Sequence, residues 1–175
     1  MRLFTASRRD SIAPVYMENG HALASRFNPL GCMGTAMVTT ILADAALEDL
    51  LALARETAKR SYSPYSGFKV GAALQLSNGE IVTGTNVENV SYGLTVCAER
   101  AALVQAISRF GPKIRINAVA IANLNNAASP PCGACRQVLA EFTEPSAPVA
   151  FPLAESVHVM PFAEIMPFAT ELKLN

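Results

Sequence analysis

Cys97-Ala98-Glu99-Arg100-Ala101-Ala102-Leu103, continuing to Phe110 and halted by Gly111-Pro112, is the stretch from which the rest of the chain is read. It predicts a helix that opens on a cysteine. Further along, Pro131-Cys132-Gly133-Ala134-Cys135 opens another helix, predicted over Cys132 to Phe142 and stopped by Pro145. Three thiols and one carboxylate at this spacing can bind a zinc ion and leave it one open position. Three protein ligands plus water mark a catalytic type of zinc site, whereas four ligands close it into a structural one. Glu99, two residues after Cys97, is then placed to handle protons at the open position.

The chemistry suits these positions. At a helix N-terminus the free N–H groups and the dipole favour anions, which lowers the pKa of a thiol. Zinc needs thiolates, and two helix starts facing each other would present Cys97 from one and Cys132 with Cys135 from the other. Gly133 allows a tight bend between the last pair. Three thiolates leave a divalent ion with a net negative charge, which weakens its pull on water. Arg100 and Arg136 are the candidates to hydrogen-bond the sulfurs and offset that charge. Taken alone, Cys132-x-x-Cys135 could equally be a redox pair or half of a structural site, and Cys32 could supply a fourth thiol. The two histidines, His21 and His158, fall in neither motif, and the Val-His-Val setting of His158 reads as strand.

Working outward, Leu47, Leu50, Leu51, Ala54 and Ala58 recur at helical spacing, predicting a helix to about Arg60 with Asp44 as N-cap. Ser61 to Gly67 is turn-rich. Val70, Ala72, Leu74 and Leu76 alternate, and Asn78-Gly79 turns the chain into Ile81-Val82-Thr83, a hairpin signal. Asn86 to Thr95 is polar and reads as a loop. Ala118 to Ile121 reads as a strand within Ile114 to Leu124. Val149 to Phe151 and Val157 to Met160 read as short edge strands, and Phe162 to Met166 as a brief terminal helix. A hairpin followed by alternating helix and strand predicts a mixed sheet covered by helices.

A length of 175 residues suits one domain, and an apolar fraction of 51% is ample for a core. Lys plus Arg and Asp plus Glu are 14 each, so the chain lacks the positive excess that grips a phosphate backbone. Four cysteines are too sparse for a disulfide-stapled scaffold, and free thiolate ligands favour a reducing, cytoplasmic setting. Phe27 to Ala43 and Ile116 to Cys135 are too polar to span a membrane. Ala43-Asp44-Ala45 loosely resembles a signal cleavage site but comes late. Residues 1–44 read as an N-terminal extension, poorly ordered or preceding a true start at Met33 or Met37. Residues 45–175 read as the functional domain.

Three segments carry a family resemblance: Ser63-Pro-Tyr-Ser-Gly-Phe-Lys-Val-Gly-Ala-Ala-Leu74, Asn86-Val-Glu-Asn-Val-Ser-Tyr-Gly-Leu-Thr-Val-Cys-Ala-Glu-Arg100 and Pro131-Cys-Gly-Ala-Cys-Arg-Gln-Val-Leu139. In this order they resemble the small-subunit, three-Cys cytidine deaminases over about Leu47 to Met166. The resemblance implies a three-layer α/β/α fold with a mixed, about five-stranded sheet. It implies one zinc per subunit on Cys97, Cys132 and Cys135, with Glu99 passing a proton from the attacking water to N3 of the pyrimidine. It implies that Asn86 and Glu88 bind the ribose, that Phe68 packs near the base, and that the Ala98 N–H meets the base carbonyl. Arg100 then stands behind the ligands. The implied activity is hydrolytic deamination of cytidine and 2′-deoxycytidine in pyrimidine salvage, by a homotetramer with no nucleic-acid or membrane partner. Deamination of a nucleoside antibiotic or an RNA base on the same fold is the alternative, and a non-catalytic zinc protein would leave Glu99 without a purpose. Two departures from the family pattern stand out. In Met166-Pro167-Phe168 the aromatic directly follows the proline, and Pro130-Pro131 replaces the usual Ser-Pro before Cys132.

Overall fold

Helix α1 runs over Thr35–Ala58, so it starts well before the Asp44 cap that the sequence suggests. Asp44 lies inside it, because no Gly or Pro interrupts the backbone between Thr35 and Ala58. The computed structural model describes residues 35–153 and 155–169. The expectations for Cys32 and His21 lie outside the described residues, as do residues 1–34 of the extension expected over 1–44.

The hairpin forms as read, with β1 over Val70–Leu76 and β2 over Ile81–Thr85. Leu74 pairs with Val82, and Gly79 takes a φ of 86° in the turn, where a residue with a side chain is disfavoured. Helix α2 covers Ala98–Phe110, β3 Ile116–Asn123, α3 Gly133–Ala140, β4 Pro148–Leu153, β5 Ser156–Pro161 and α4 Phe162–Ile165. The strand order is β2-β1-β3-β4-β5, with β3 and β4 parallel and the other pairs antiparallel. The mixed five-stranded sheet flanked by helices is therefore present. One expectation fails: β4 is interior, and β5 alone of these two strands is an edge. Val149, Ala150 and Phe151 are buried in succession, as suits a strand covered on both faces.

The two faces of the sheet are built differently. Ala73, Ala118, Ala120, Ala122 and Ala150 meet Leu47, Leu50 and Ala54 of α1. On the other face Leu74, Val82, Val119, Ile121, Val149 and Phe151 pack with Ala98, Ala102, Leu103 and Ala106 of α2 and with Leu139 of α3. Small side chains let α1 lie close to the sheet, and Gly71 is the closest point. A Cβ there would stand 2.0 Å from the Ala54 carbonyl oxygen and 2.6 Å from the Ala58 nitrogen.

Helix α3 joins the parallel pair β3 and β4 and so begins beyond the carboxyl end of β3, the end at which open α/β sheets place their sites. Gly71→Ala is expected to destabilise the protein by about 1–3 kcal/mol through overpacking. Urea denaturation reads this as a lower midpoint.

Candidate active site

Cys97 and Cys132 are the N-cap residues of α2 and α3, and neither makes a side-chain capping bond. Both have extended backbones, with ψ of 155° and 163°. Their thiols therefore turn away from their own helices and toward each other. The Cys97 and Cys132 sulfurs are 3.9 Å apart, and those of Cys132 and Cys135 are 3.4 Å apart. All three sulfurs lie within 4.8 Å of one another. Tetrahedral zinc–thiolate bonds of about 2.3 Å set sulfurs about 3.8 Å apart, so the donor set and its spacing fit zinc. No other group of this kind occurs among the described residues.

The electrostatics point the same way. The Cys97 thiol is pushed down to about 5 by a hydrogen bond from Cys135, with help from Arg100. The Cys135 thiol is pushed up by its bond to Cys97 and by burial. Without a cation, one ionised sulfur thus holds the proton on its neighbour. A divalent ion reverses that logic and lets all three ionise. Arg100 Nη2 lies 3.7 Å from the Cys97 sulfur and donates to the Thr95 carbonyl at 2.9 Å, as expected of a residue behind the ligands. Arg136 does not play the matching part. It donates to the carbonyls of Pro131 at 2.7 Å and Ile165 at 3.0 Å. Those two carbonyls occupy its guanidinium, whereas Arg100 stands three residues on from Cys97 and reaches back to that sulfur.

Glu99 follows one residue into α2 and is only 4% exposed. Burial pushes its carboxyl above the ordinary carboxylate range. Ala98, also buried, lies in the first turn, whose N–H groups have no intrahelical acceptor.

Beside these residues opens a cleft of about 570 Å³, lined by Phe68, Asn86, Glu88, Val90, Tyr92 and Thr95 among others. Asn86 is buried and largely occupied. Its Oδ1 accepts from Ser61 Oγ at 2.6 Å and from the Val70 N–H at 2.8 Å, and its Nδ2 donates to the Phe68 carbonyl at 2.8 Å. One amide hydrogen remains for a ligand. Glu88 Oε2 accepts from the Tyr65 N–H at 2.9 Å and the Ser66 N–H at 3.3 Å, and its Oε1 accepts from the Ser66 hydroxyl. That hydroxyl, more than any other group, holds the carboxyl below its ordinary value of 4.5.

The expected residues thus fall into one region: Cys97, Ala98, Glu99 and Arg100 on α2, Cys132 and Cys135 on α3, and Phe68, Asn86 and Glu88 around the cleft. Thr95 lines the cleft and bonds Arg100, which links the two parts. Ser61, Ser66 and Thr95 hold this arrangement and were not singled out from the sequence. The only signal for Ser66 and Thr95 is membership of the quoted segments, and for Ser61 its place at the start of the turn-rich stretch. Phe168 is fully exposed, at a φ of 61°, and is absent from the cleft lining. His158 lies exposed on β5, a strand residue as read.

The model of the cytidine and deoxycytidylate deaminase zinc-binding region matches residues 44–150. Over 81 residues the chain is 51% identical to a cytidine deaminase of Halalkalibacterium halodurans, covering 46% of this chain and 60% of that one. It is 45% identical over 103 residues to a cytidine deaminase of Sporosarcina psychrophila, covering 59% of this chain and 74% of that one. The crystal structure of a cytidine deaminase from Mycobacterium tuberculosis superposes with a TM-score of 0.63 at 38% identity, over 71% of this chain and 97% of that one. With its mixed sheet, facing helix starts and three-thiol cluster, the chain belongs to the cytidine and deoxycytidylate deaminase family. The matched stretch nonetheless spans under two thirds of the length of the Halalkalibacterium relative.

Two outcomes follow from this geometry. Arg100→Ala is expected to weaken zinc binding about 10- to 100-fold, as loss of a residue supporting a ligand does. Competition with a chromophoric chelator measures it. Ser66→Ala is expected to raise the Glu88 pKa toward 4.5, read by NMR titration. Because the folded value is depressed, the stabilising contact is complete above the ordinary carboxylate range. It is lost as pH falls through the lowered value.

Proposed function

We propose that the protein is a zinc-dependent hydrolase that deaminates cytidine and 2′-deoxycytidine, with water, to uridine and 2′-deoxyuridine plus ammonia. The observation that carries this reading is a buried carboxyl, Glu99, next to a three-thiol cluster and beside a cleft that presents an amide and a carboxylate. Cys97, Cys132 and Cys135 would hold the zinc, which supplies Lewis-acid activation of water when bound.

The chain's own residues account for the rest. Glu99 takes a proton and delivers it to N3 of the pyrimidine, then serves again as ammonia departs. Its burial beside the thiols keeps the carboxyl away from bulk water, where one group can both accept and donate the proton. The Ala98 N–H meets the base carbonyl, and Phe68 packs against the ring. The remaining Asn86 amide hydrogen and the spare Glu88 lone pairs bind sugar hydroxyls, donor and acceptor together. Their internal bonds hold them in place before a ligand arrives, which lowers the cost of ordering them.

The setting we infer is the cytoplasm, in pyrimidine salvage, with a nucleoside as substrate rather than nucleic acid or membrane. Equal numbers of basic and acidic residues support that choice, and among the described residues no helix is long and apolar enough to cross a membrane. A homotetramer is part of the same reading. Val90, Tyr92 and Leu94 are 82%, 91% and 65% exposed in the loop at the cleft, an apolar surface that a neighbouring subunit would cover.

Glu99→Gln is expected to retain zinc while turnover of cytidine falls about 10²- to 10⁴-fold. Chromatographic quantitation of uridine measures it, with single-stranded RNA assayed in parallel and expected to stay unmodified. Full activity in that variant, or conversion of RNA in preference to the nucleoside, would contradict the proposal.

A further inference from the structure

Strand β2 meets helix α2 at a residue with no side chain. A Cβ on Gly84 would lie 2.3 Å from the Ala102 nitrogen, 2.5 Å from the Ala98 carbonyl oxygen and 2.9 Å from the Ala102 Cα. All three are backbone atoms, so no flexible side chain can yield. The helix side has no slack either, because Ala98 and Ala102 are fully buried and already small. The strand is held along its length by β1, from Gly71 opposite Thr85 to Gln75 opposite Ile81. Any atom added at Gly84 must therefore move the first turn of α2.

That turn is the one that matters chemically. Cys97 holds its N-cap position, and Ala98 and Glu99 open it, while Cys132 and Cys135 stand on a different helix. Two residues beyond Gly84 the same strand runs into Asn86, at the sugar end of the cleft. We propose that Gly84 is a positioning residue, whose missing side chain sets the height of the first turn of α2 over the sheet. It thereby sets where Cys97 and Glu99 stand relative to Cys132, Cys135 and Asn86. Only glycine permits the three sulfurs to close into one ligand set while both helices remain packed. The inference rests on the zinc reading above and adds a residue that touches neither metal nor substrate.

Gly71 provides the control, since it makes an equally close approach to helix backbone on the opposite face, against α1. Zinc affinity of the zinc-loaded protein would be measured by chelator competition for wild type, Gly84→Ala and Gly71→Ala. Absorption spectra of the cobalt-substituted forms would accompany it. We expect Gly84→Ala to bind zinc about 10-fold or more weakly and to shift the cobalt–thiolate bands. Gly71→Ala should keep wild-type affinity and spectrum despite comparable loss of stability. Should Gly84→Ala fail to fold, Ala102→Ser adds one atom to the fully buried residue whose backbone rests on Gly84 and is expected to act in the same direction. Wild-type affinity and spectrum in the Gly84 variant, or in Ala102→Ser where that one is needed, would overturn the proposal and leave the zinc reading intact. A wild-type protein that binds no zinc would overturn both.

Discussion

Three sulfur atoms within 4.8 Å of one another are the constraint on which the rest of the structure depends. Thiols this crowded cannot all ionise unaided, and the opposed shifts of Cys97 and Cys135 express that conflict. A divalent cation resolves it, and the fold is arranged to bring the sulfurs together around one. Each helix gives up a conventional Ser, Thr, Asp or Asn cap in favour of a cysteine that caps nothing. The local loss at two helix ends is offset by a site that neither helix could build alone. Around it the packing is tight: α1 lies on a face of alanines, and α2 touches β2 backbone to backbone at Gly84.

The cleft follows a complementary logic. Asn86 and Glu88 are engaged before any ligand arrives, the first with Ser61, Phe68 and Val70, the second with Tyr65 and Ser66. Such bonds fix the side chains while leaving a donor on one and acceptors on the other. The loop from Ser61 to Phe68 and the strand end at Asn86 are thereby tied into one unit. Arg100 ties that unit to the thiols through the Thr95 carbonyl. Position and charge in the site therefore come from the same few hydrogen bonds.

Much of this was legible in the sequence, and the failures have physical causes. The hairpin was clear because Asn78-Gly79 and strict alternation leave little choice. The two cysteine-led helices were clear from their starts; Gly111-Pro112 closes the first, whereas the second ends at Ala140, short of the expected Phe142 and of Pro145. The start of α1 was misread because Asp44 looks like a cap, yet nothing before it breaks the helix back to Thr35. Strand β4 was read as an edge because its apolar run is short and flanked by prolines, and periodicity cannot separate a short interior strand from a peripheral one. The three-thiol cluster was legible because its spacing is chemical. Arg136 was misassigned because adjacency along the chain says nothing about direction around a helix. The supporting roles of Ser61, Ser66 and Thr95 arise from contacts between segments distant in sequence, which no local pattern encodes. Gly84 belongs with them, since its purpose appears only when α2 is seen resting on it.

The most direct test of the central claim is the ultraviolet absorbance of cytidine incubated with the purified protein, followed before chelation, after removal of zinc, and after its return. The account predicts a decay of absorbance that stops when the metal is withdrawn and resumes when zinc is restored. Absence of decay by a folded, zinc-loaded protein, or a decay that continues unchanged once the zinc has been removed, would contradict it.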